Sequence, residues 1–317
     1  MYYSAVPARV PSLATAALVV VTGKGGVGKS VVSATLGRAL HAAGRRVLML
    51  EVDPRENLHE LAGVPPTAGE VTPVAPGLFL QNLSPHRIIE EIVRDHLRVE
   101  WLVRKVSASP VFRHFVDAAP GIKELSVLGH ALRLVKGYDR QRGKLVDTVV
   151  LDAPATGHGL ALLTAPHLTS EVIDAGPFAR MAGELAAFVR DPAASAIVVV
   201  SQAEEMPVQE AIELRAEMET RIGRSPDLLV VNGLYPPAPR ANRRDDALTD
   251  LWRHRRAVNE RQLARLSAEW RGERLDLPFL PVPRGPGLVA ALRPFVDAVT
   301  PPTSRRAAAE SPAGGGA

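Results

Sequence analysis

The sequence predicts an α/β fold: a mostly parallel sheet flanked by helices, with a helical subdomain inserted into it. Three observations predict it. Short, continuous β-branched apolar runs alternate with amphipathic stretches of helical period, as in sheets buried on both faces. A glycine-rich loop stands between the first apolar run and the first helical pattern. Two later strand regions lead into aspartates, where an open α/β sheet places its ligands.

The elements follow in order. Residues 1–12 read as a flexible lead-in, and 13–300 as one domain. Arg9 precedes an apolar run over 13–21, which has the outline of a signal peptide. That run passes directly into Gly23-Lys24-Gly25-Gly26, however, and such a loop needs a buried strand before it. Strands are expected over 17–22, 47–52, 78–82, 148–151, 196–200 and 228–231, and a helix over 31–42. The stretch 84–144 breaks the alternation. Ser84-Pro85 has the form of an N-cap and first helical position, and Ile88, Ile89, Ile92, Val93 and Leu97 share one helical face. A second amphipathic helix is expected over 122–135. This much helix far exceeds a minimal crossover, so it reads as a subdomain on the α/β core. Residues 301–317, rich in Ala, Pro, Gly and Ser, read as a disordered tail.

Composition narrows the chemistry. The chain has 46% hydrophobic and 23% charged residues, as ordinary soluble proteins do. No apolar stretch approaches the roughly 20 residues that span a bilayer, so the expected location is cytoplasmic, at most peripheral to a membrane. There is no cysteine, which excludes disulfides, thiolate nucleophiles and Cys-ligated zinc or iron–sulfur centres. The nine histidines show no ligand spacing. Arginines crowd residues 240–274, and with a net charge of +4 they raise the question of nucleic acid. Asp245, Asp246, Asp250, Glu260, Glu269 and Glu273 are interleaved with them, and such mixing reads as a solvated helix face.

Gly23-Lys24-Gly25-Gly26-Val27-Gly28-Lys29-Ser30 fits the phosphate-loop pattern G-x-x-x-x-G-K-[ST], which predicts a P-loop nucleoside triphosphatase domain. Four fixed positions match by chance in roughly one chain in a hundred of this length, but here a strand precedes the loop and a helix follows. Glycines let successive N–H groups converge on phosphate oxygens, and the helix starting near Lys29 points its positive end at the same anion. In that geometry Lys29 bridges the β- and γ-phosphates, Val27 within the loop and Val31 just after it join the nucleotide-binding set, and Ser30 ligates Mg²⁺. Lys24 is a second lysine with little structural reason to sit among glycines, other than as a solvent-exposed charge. Asp53 and Asp152 follow apolar runs. Asp152 has the Walker B position for Mg²⁺, directly or through water, and Asp53 could place the attacking water.

Taken together, Gly23–Ser30 with its early lysine, Asp53-Pro54…Asn57-Leu58 and Asp152-Ala153-Pro154…Thr156-Gly157-His158 resemble the signature set of the arsenical-pump ATPases. That family has a deviant Walker A loop and includes the ATPase that targets tail-anchored membrane proteins. Glu204-Glu205-Met206-Pro207 and Val230-Val231-Asn232-Gly233-Leu234 extend the likeness over roughly residues 15–297. The resemblance implies that Lys24 reaches the partner's nucleotide across a dimer interface, and that Asp53 lies in switch I. It also implies that Asp152–His158 is switch II, and that Asn232 contacts adenine with the loop around Pro281, Val282 and Pro283 opposite. The 84–144 segment would match the client-binding helical subdomain of the targeting branch. The departures are the missing cysteines, which remove metalloid and zinc sites, and Arg55-Glu56, where Ala-His is usual.

The expected function is a Mg²⁺-dependent ATPase, switched by ATP as a homodimer or as a heterodimer with a paralogue, that controls a protein client or a membrane-protein partner. Two alternatives remain: a regulatory subunit that binds ATP and hydrolyses it weakly, and a partitioning-type ATPase acting on DNA or membrane.

Overall fold

The computed structural model describes residues 10–52, 56–84, 87–90, 105, 109–110, 121–137, 145–154, 158–172, 177–237 and 247–300. Most of the stretch read as a helical insert lies outside these residues, as do Asp53 and the 301–317 tail.

The described chain runs α1 (Pro11–Thr15), β1 (Leu18–Gly23), α2 (Lys29–Ala42), β2 (Val47–Glu51), α3 (Leu58–Ala62), β3 (Thr72–Ala75) and β4 (Leu78–Asn82). It continues with α4 (Ile122–Lys136), β5 (Thr148–Asp152), α5 (His158–Val172), α6 (Pro177–Arg190), β6 (Ser195–Gln202) and α7 (Glu205–Arg221). The last elements are β7 (Leu228–Leu234), α8 (Ala247–Glu269), β8 (Arg274–Pro278) and α9 (Pro286–Asp297).

The strands form one eight-stranded sheet in the order β3-β4-β2-β5-β1-β6-β7-β8, parallel except for β3 against β4. All six expected strands are present. The other two lie at the edges, where the sequence pattern is weakest. β3 carries Pro73, which an edge strand tolerates because one side of its ladder is unpaired. In β8 the apolar run is interrupted: Leu275 and Leu277 enter the core, while Arg274 and Asp276 pair with each other at 3.0 Å on the other face. Burial pushes the Asp276 carboxyl above its ordinary range against the pull of Arg274.

Alternation along the strands divides the core in two. Val19, Val21, Val47, Met49, Val198 and Val230 face a layer built by α1, α2, α3 and α9. Leu18, Val20, Leu48, Leu50, Val149 and Leu151 face α4, α5 and α6, and Val199, Leu229 and Val231 face α7 and α8. Residues 18–21 are fully buried, which is why this run reads as continuous rather than alternating. At the amino ends of the strands, the buried Arg45 guanidinium donates to the carbonyls of Leu13, Ala14, Thr15, Ala16 and Asp147, which fastens α1 under the sheet. Val10 N–H reaches the Val299 carbonyl at 3.3 Å beside it.

The arginine-rich stretch contains α8, whose charges are largely matched. Arg253 pairs with Asp250, Arg256 with Glu260, Arg265 with Glu269, and Arg255 crosses to Glu204. Among the described residues, no helix is long and apolar enough to cross a membrane.

Candidate functional site

The connection leaving β1 runs toward β2, while the chain leaving β5 crosses β1 to reach β6. The carboxyl ends of β1 and β5 therefore border the crevice where open α/β sheets bind ligands. The sequence places its phosphate loop at one of these ends and Asp152 at the other.

Two glycines of the loop are required by shape. Gly23 has φ +143°, and a Cβ there would overlap the Val200 carbonyl of β6. Gly28, at φ +94°, is the left-handed residue that starts α2, and a Cβ there would overlap the Asn232 amide. Gly25 and Gly26 are exposed, and Val27 is buried with its carbonyl accepting from Asn232 Nδ2 at 2.9 Å. Asn232 lies on β7, two strands from β1, so this bond ties the loop to the far side of the crevice. Lys29, only 7% exposed, donates its ammonium to the Lys24 carbonyl at 2.9 Å. The Lys24 ammonium pairs with Glu210 of α7 at 2.6 Å. Ser30 and Val31 follow on the first turn of α2, both half-buried. The loop thus offers exposed glycines, a helix amino end and an inward-turned cation, which is the donor set a polyphosphate needs.

Asp152 ends β5, 6% exposed, and accepts the Ser33 hydroxyl from α2 at 2.9 Å. Its neighbour Ala153 is tied back to the Val21 carbonyl at 3.0 Å. The Mg²⁺ set expected from sequence was Ser30 with Asp152; the structure brings Ser33, one turn further along α2, onto the carboxylate. Such a buried carboxylate with a serine hydroxyl on the facing helix suits a hard, oxygen-seeking cation.

Glu51 is an acid the sequence reading passed over. It ends β2 in register with Asp152 and is 2% exposed. Both its oxygens accept the Asn57 N–H at 2.9 Å, and one accepts Leu58 N–H at 3.2 Å. Burial, helped by the nearby Asp152, raises its carboxyl to about 7 although these N–H groups oppose the shift. The carboxyl therefore closes the turn between β2 and α3, the turn that contains Asp53 in sequence. A glutamate ending an otherwise apolar strand was the available signal. Further out, Glu56 accepts the Thr67 and Ala68 N–H groups, so the residue replacing the usual histidine secures the next turn.

Pro281 and Val282 follow β8, the first exposed and the second half-buried. Their loop runs from the sheet edge to α3, where Arg284 meets Glu60 at 3.3 Å and the Asn57 carbonyl at 3.4 Å. On the β7 side, Phe279 stacks on Tyr235 with ring centroids 5.1 Å apart. Buried Asn259 accepts Tyr235 N–H and donates to the Ala203 carbonyl, which joins the loops after β6 and β7. Nothing in the sequence pattern singled out Asn259, which looks like one more polar residue of a charged helix.

Known proteins resemble this chain over much of its length. A family model described as anion-transporting ATPase matches residues 16–186, more than half of the chain. The chain is 30% identical over 214 residues to the ATPase BagA of Mycobacterium tuberculosis, covering 64% of this chain and 62% of that protein. It is 26% identical over 281 residues to an arsenical pump-driving ATPase of Escherichia coli, covering 82% of this chain and 45% of that protein. A further arsenical pump-driving ATPase, from Acidiphilium multivorum, is 26% identical over 241 residues, 68% of this chain and 39% of its own. The chain thus spans less than two thirds of the length of each of these relatives. The family match includes β1, the phosphate loop, α2 and Asp152, the elements that build the crevice. The chain belongs to the anion-transporting ATPase family.

Proposed function

We propose that the chain is a Mg²⁺-dependent ATP hydrolase of the deviant Walker A type, working as a nucleotide-switched dimer that controls a protein partner. The observation that carries the reading is the Gly23–Ser30 loop between β1 and α2. Its buried Lys29 ammonium turns inward, and the Asp152 carboxylate stands at the next strand end.

Mg²⁺, when bound, would neutralise charge on the transferring phosphoryl group. The residues that would hold it are Ser30 and Asp152, with Ser33 fixing the Asp152 carboxylate. The N–H groups of Gly25, Gly26 and Gly28 would receive phosphate oxygens, and Lys29 would leave the Lys24 carbonyl for them. Asn232, held beside the loop by its bond to Val27, and the 281–283 segment would border the base. Asp53 would orient the attacking water. Lys24 would supply a further positive charge to a partner's nucleotide, as an arginine finger does. The partner chain is a second copy or a paralogue. A client would be a protein or a membrane protein met at the membrane surface; nucleic acid is not part of the proposal. Neither is a metalloid or a zinc clasp, because the sequence contains no cysteine.

The test is Mg²⁺-dependent ATP hydrolysis per chain across a range of protein concentrations, for wild type, Lys24→Ala and Asp53→Asn. Specific activity rising with concentration, and lost in both variants, is the expected result. Wild type that binds ATP but turns over nothing alone would overturn the homodimeric enzyme and direct the search to a paralogous partner.

A further inference from the structure

The two lysines of the loop are held through one residue. The Lys24 carbonyl takes the Lys29 ammonium at 2.9 Å, while the Lys24 ammonium lies on the Glu210 carboxylate at 2.6 Å. Glu210 belongs to α7, which follows β6 and packs against β6 and β1. β6 flanks β1 on the side opposite β5, so this pair draws Lys24 away from the strand end that carries Asp152. The neighbouring acids of α7 have other partners: Glu213 accepts from Gln209, and Glu217 pairs with Arg221.

Room for movement is built in beside the pair. A cavity of about 680 Å³ adjoins Lys24 and Glu210, walled by Leu160, Thr164 and Leu168 of α5 and by Ala211 and Leu214 of α7. Lys24 can therefore swing without dismantling packed core. The two side chains are 33% and 38% exposed, so the attraction between them is screened. One screened carboxylate is a weaker partner for an ammonium than the several charges of a phosphate chain.

We propose that Glu210 is the resting anchor of Lys24: it parks the early lysine of the loop on α7, and Lys24 leaves it for the phosphate oxygens of the partner's nucleotide when ATP closes the dimer. The inference rests on the reading of the loop as a nucleotide site and adds a positioning residue to it. Because Lys24 is parked most of the time, only a fraction of the protein is ready to close around nucleotide as a dimer, and apparent affinity falls by that fraction. For an ion pair this exposed, the fraction corresponds to about two- to fivefold.

The experiment is titration with a fluorescent ATP analogue and Mg²⁺, together with steady-state hydrolysis at fixed protein concentration. The proteins are wild type, Glu210→Gln, Glu210→Ala, Lys24→Ala and the Lys24→Ala/Glu210→Gln double variant, each checked by thermal unfolding. Both Glu210 variants should lower the half-saturating nucleotide concentration about two- to fivefold, with kcat unchanged. In the Lys24→Ala background the Glu210 change should have no effect on binding. An unchanged or raised half-saturating concentration, or a shift that persists without Lys24, overturns the anchor. If wild type fails to bind the analogue at all, the nucleotide-site reading falls and the anchor with it. Binding by wild type without any Glu210 effect sinks the anchor alone.

Discussion

Replacing Glu51 by glutamine converts a buried, ionisable staple into a neutral one of nearly the same shape. In the wild type, burial holds the carboxyl at about 7 instead of its ordinary 4.5. The sign follows from proton counting. Below about pH 4.5 the group is protonated in both folded and unfolded chains and contributes no pH dependence. Between 4.5 and about 7 the unfolded chain has released the proton while the folded chain keeps it, so stability falls as pH rises. Above about 7 both states are ionised and the loss is complete, at about 3 kcal/mol for a shift of this size. Glutamine cannot ionise, and its carbonyl can still accept the Asn57 N–H. Relative to wild type, Glu51→Gln should gain about 6 °C in melting temperature between pH 4.5 and pH 8. The assay is thermal unfolding of both proteins across that range, without Mg²⁺ or nucleotide. A difference between the two that stays constant with pH would refute the burial argument.

Two other substitutions probe opposite ends of the sheet. Gly28→Ala forces a methyl against the Asn232 amide at a left-handed backbone position, costing about 1–2 kcal/mol in the conformation alone. It should break the Val27–Asn232 bond and weaken binding of a fluorescent ATP analogue at least about tenfold, with the far-ultraviolet circular dichroism unchanged. Arg45→Met keeps the buried stem but removes a guanidinium that satisfies five carbonyls. It should destabilise by about 3 kcal/mol in urea unfolding and leave ATP binding unaltered, because the clamp lies at the amino ends of the strands.

The central strands were legible because they are buried on both faces: a run such as Leu18-Val19-Val20-Val21 has no solvent-facing residue to interrupt it. β3 and β8 were not: an edge strand with one unpaired side admits Pro73 in β3, and in β8 the buried Arg274–Asp276 pair interrupts the apolar run. The phosphate loop was legible because its chemistry fixes residue types at fixed spacings. Ser33, Glu210 and Asn259 were hidden for the converse reason. Each acts through a partner distant in sequence, such as Asp152 for Ser33 and Lys24 for Glu210, and one chain carries no record of which distant residues meet. Glu51 was overshadowed by Asp53 two residues on, the acid that the family motif names.

The hydrogen bond from Val10 to Val299 closes the described domain into something near a ring. Folding cannot finish from the amino end alone: the shelf that receives residues 10–16 is completed by α9 and the residues just after it, which follow every strand of the sheet in the chain. Contacts of such sequence separation slow folding, because a long loop must close before they repay it. The same closure makes the order of synthesis a matter of convenience for the final architecture. A permuted chain that joins residue 299 to residue 10 through a short bridge, and opens instead at the exposed turn around Gly223, would preserve every strand pairing of the sheet.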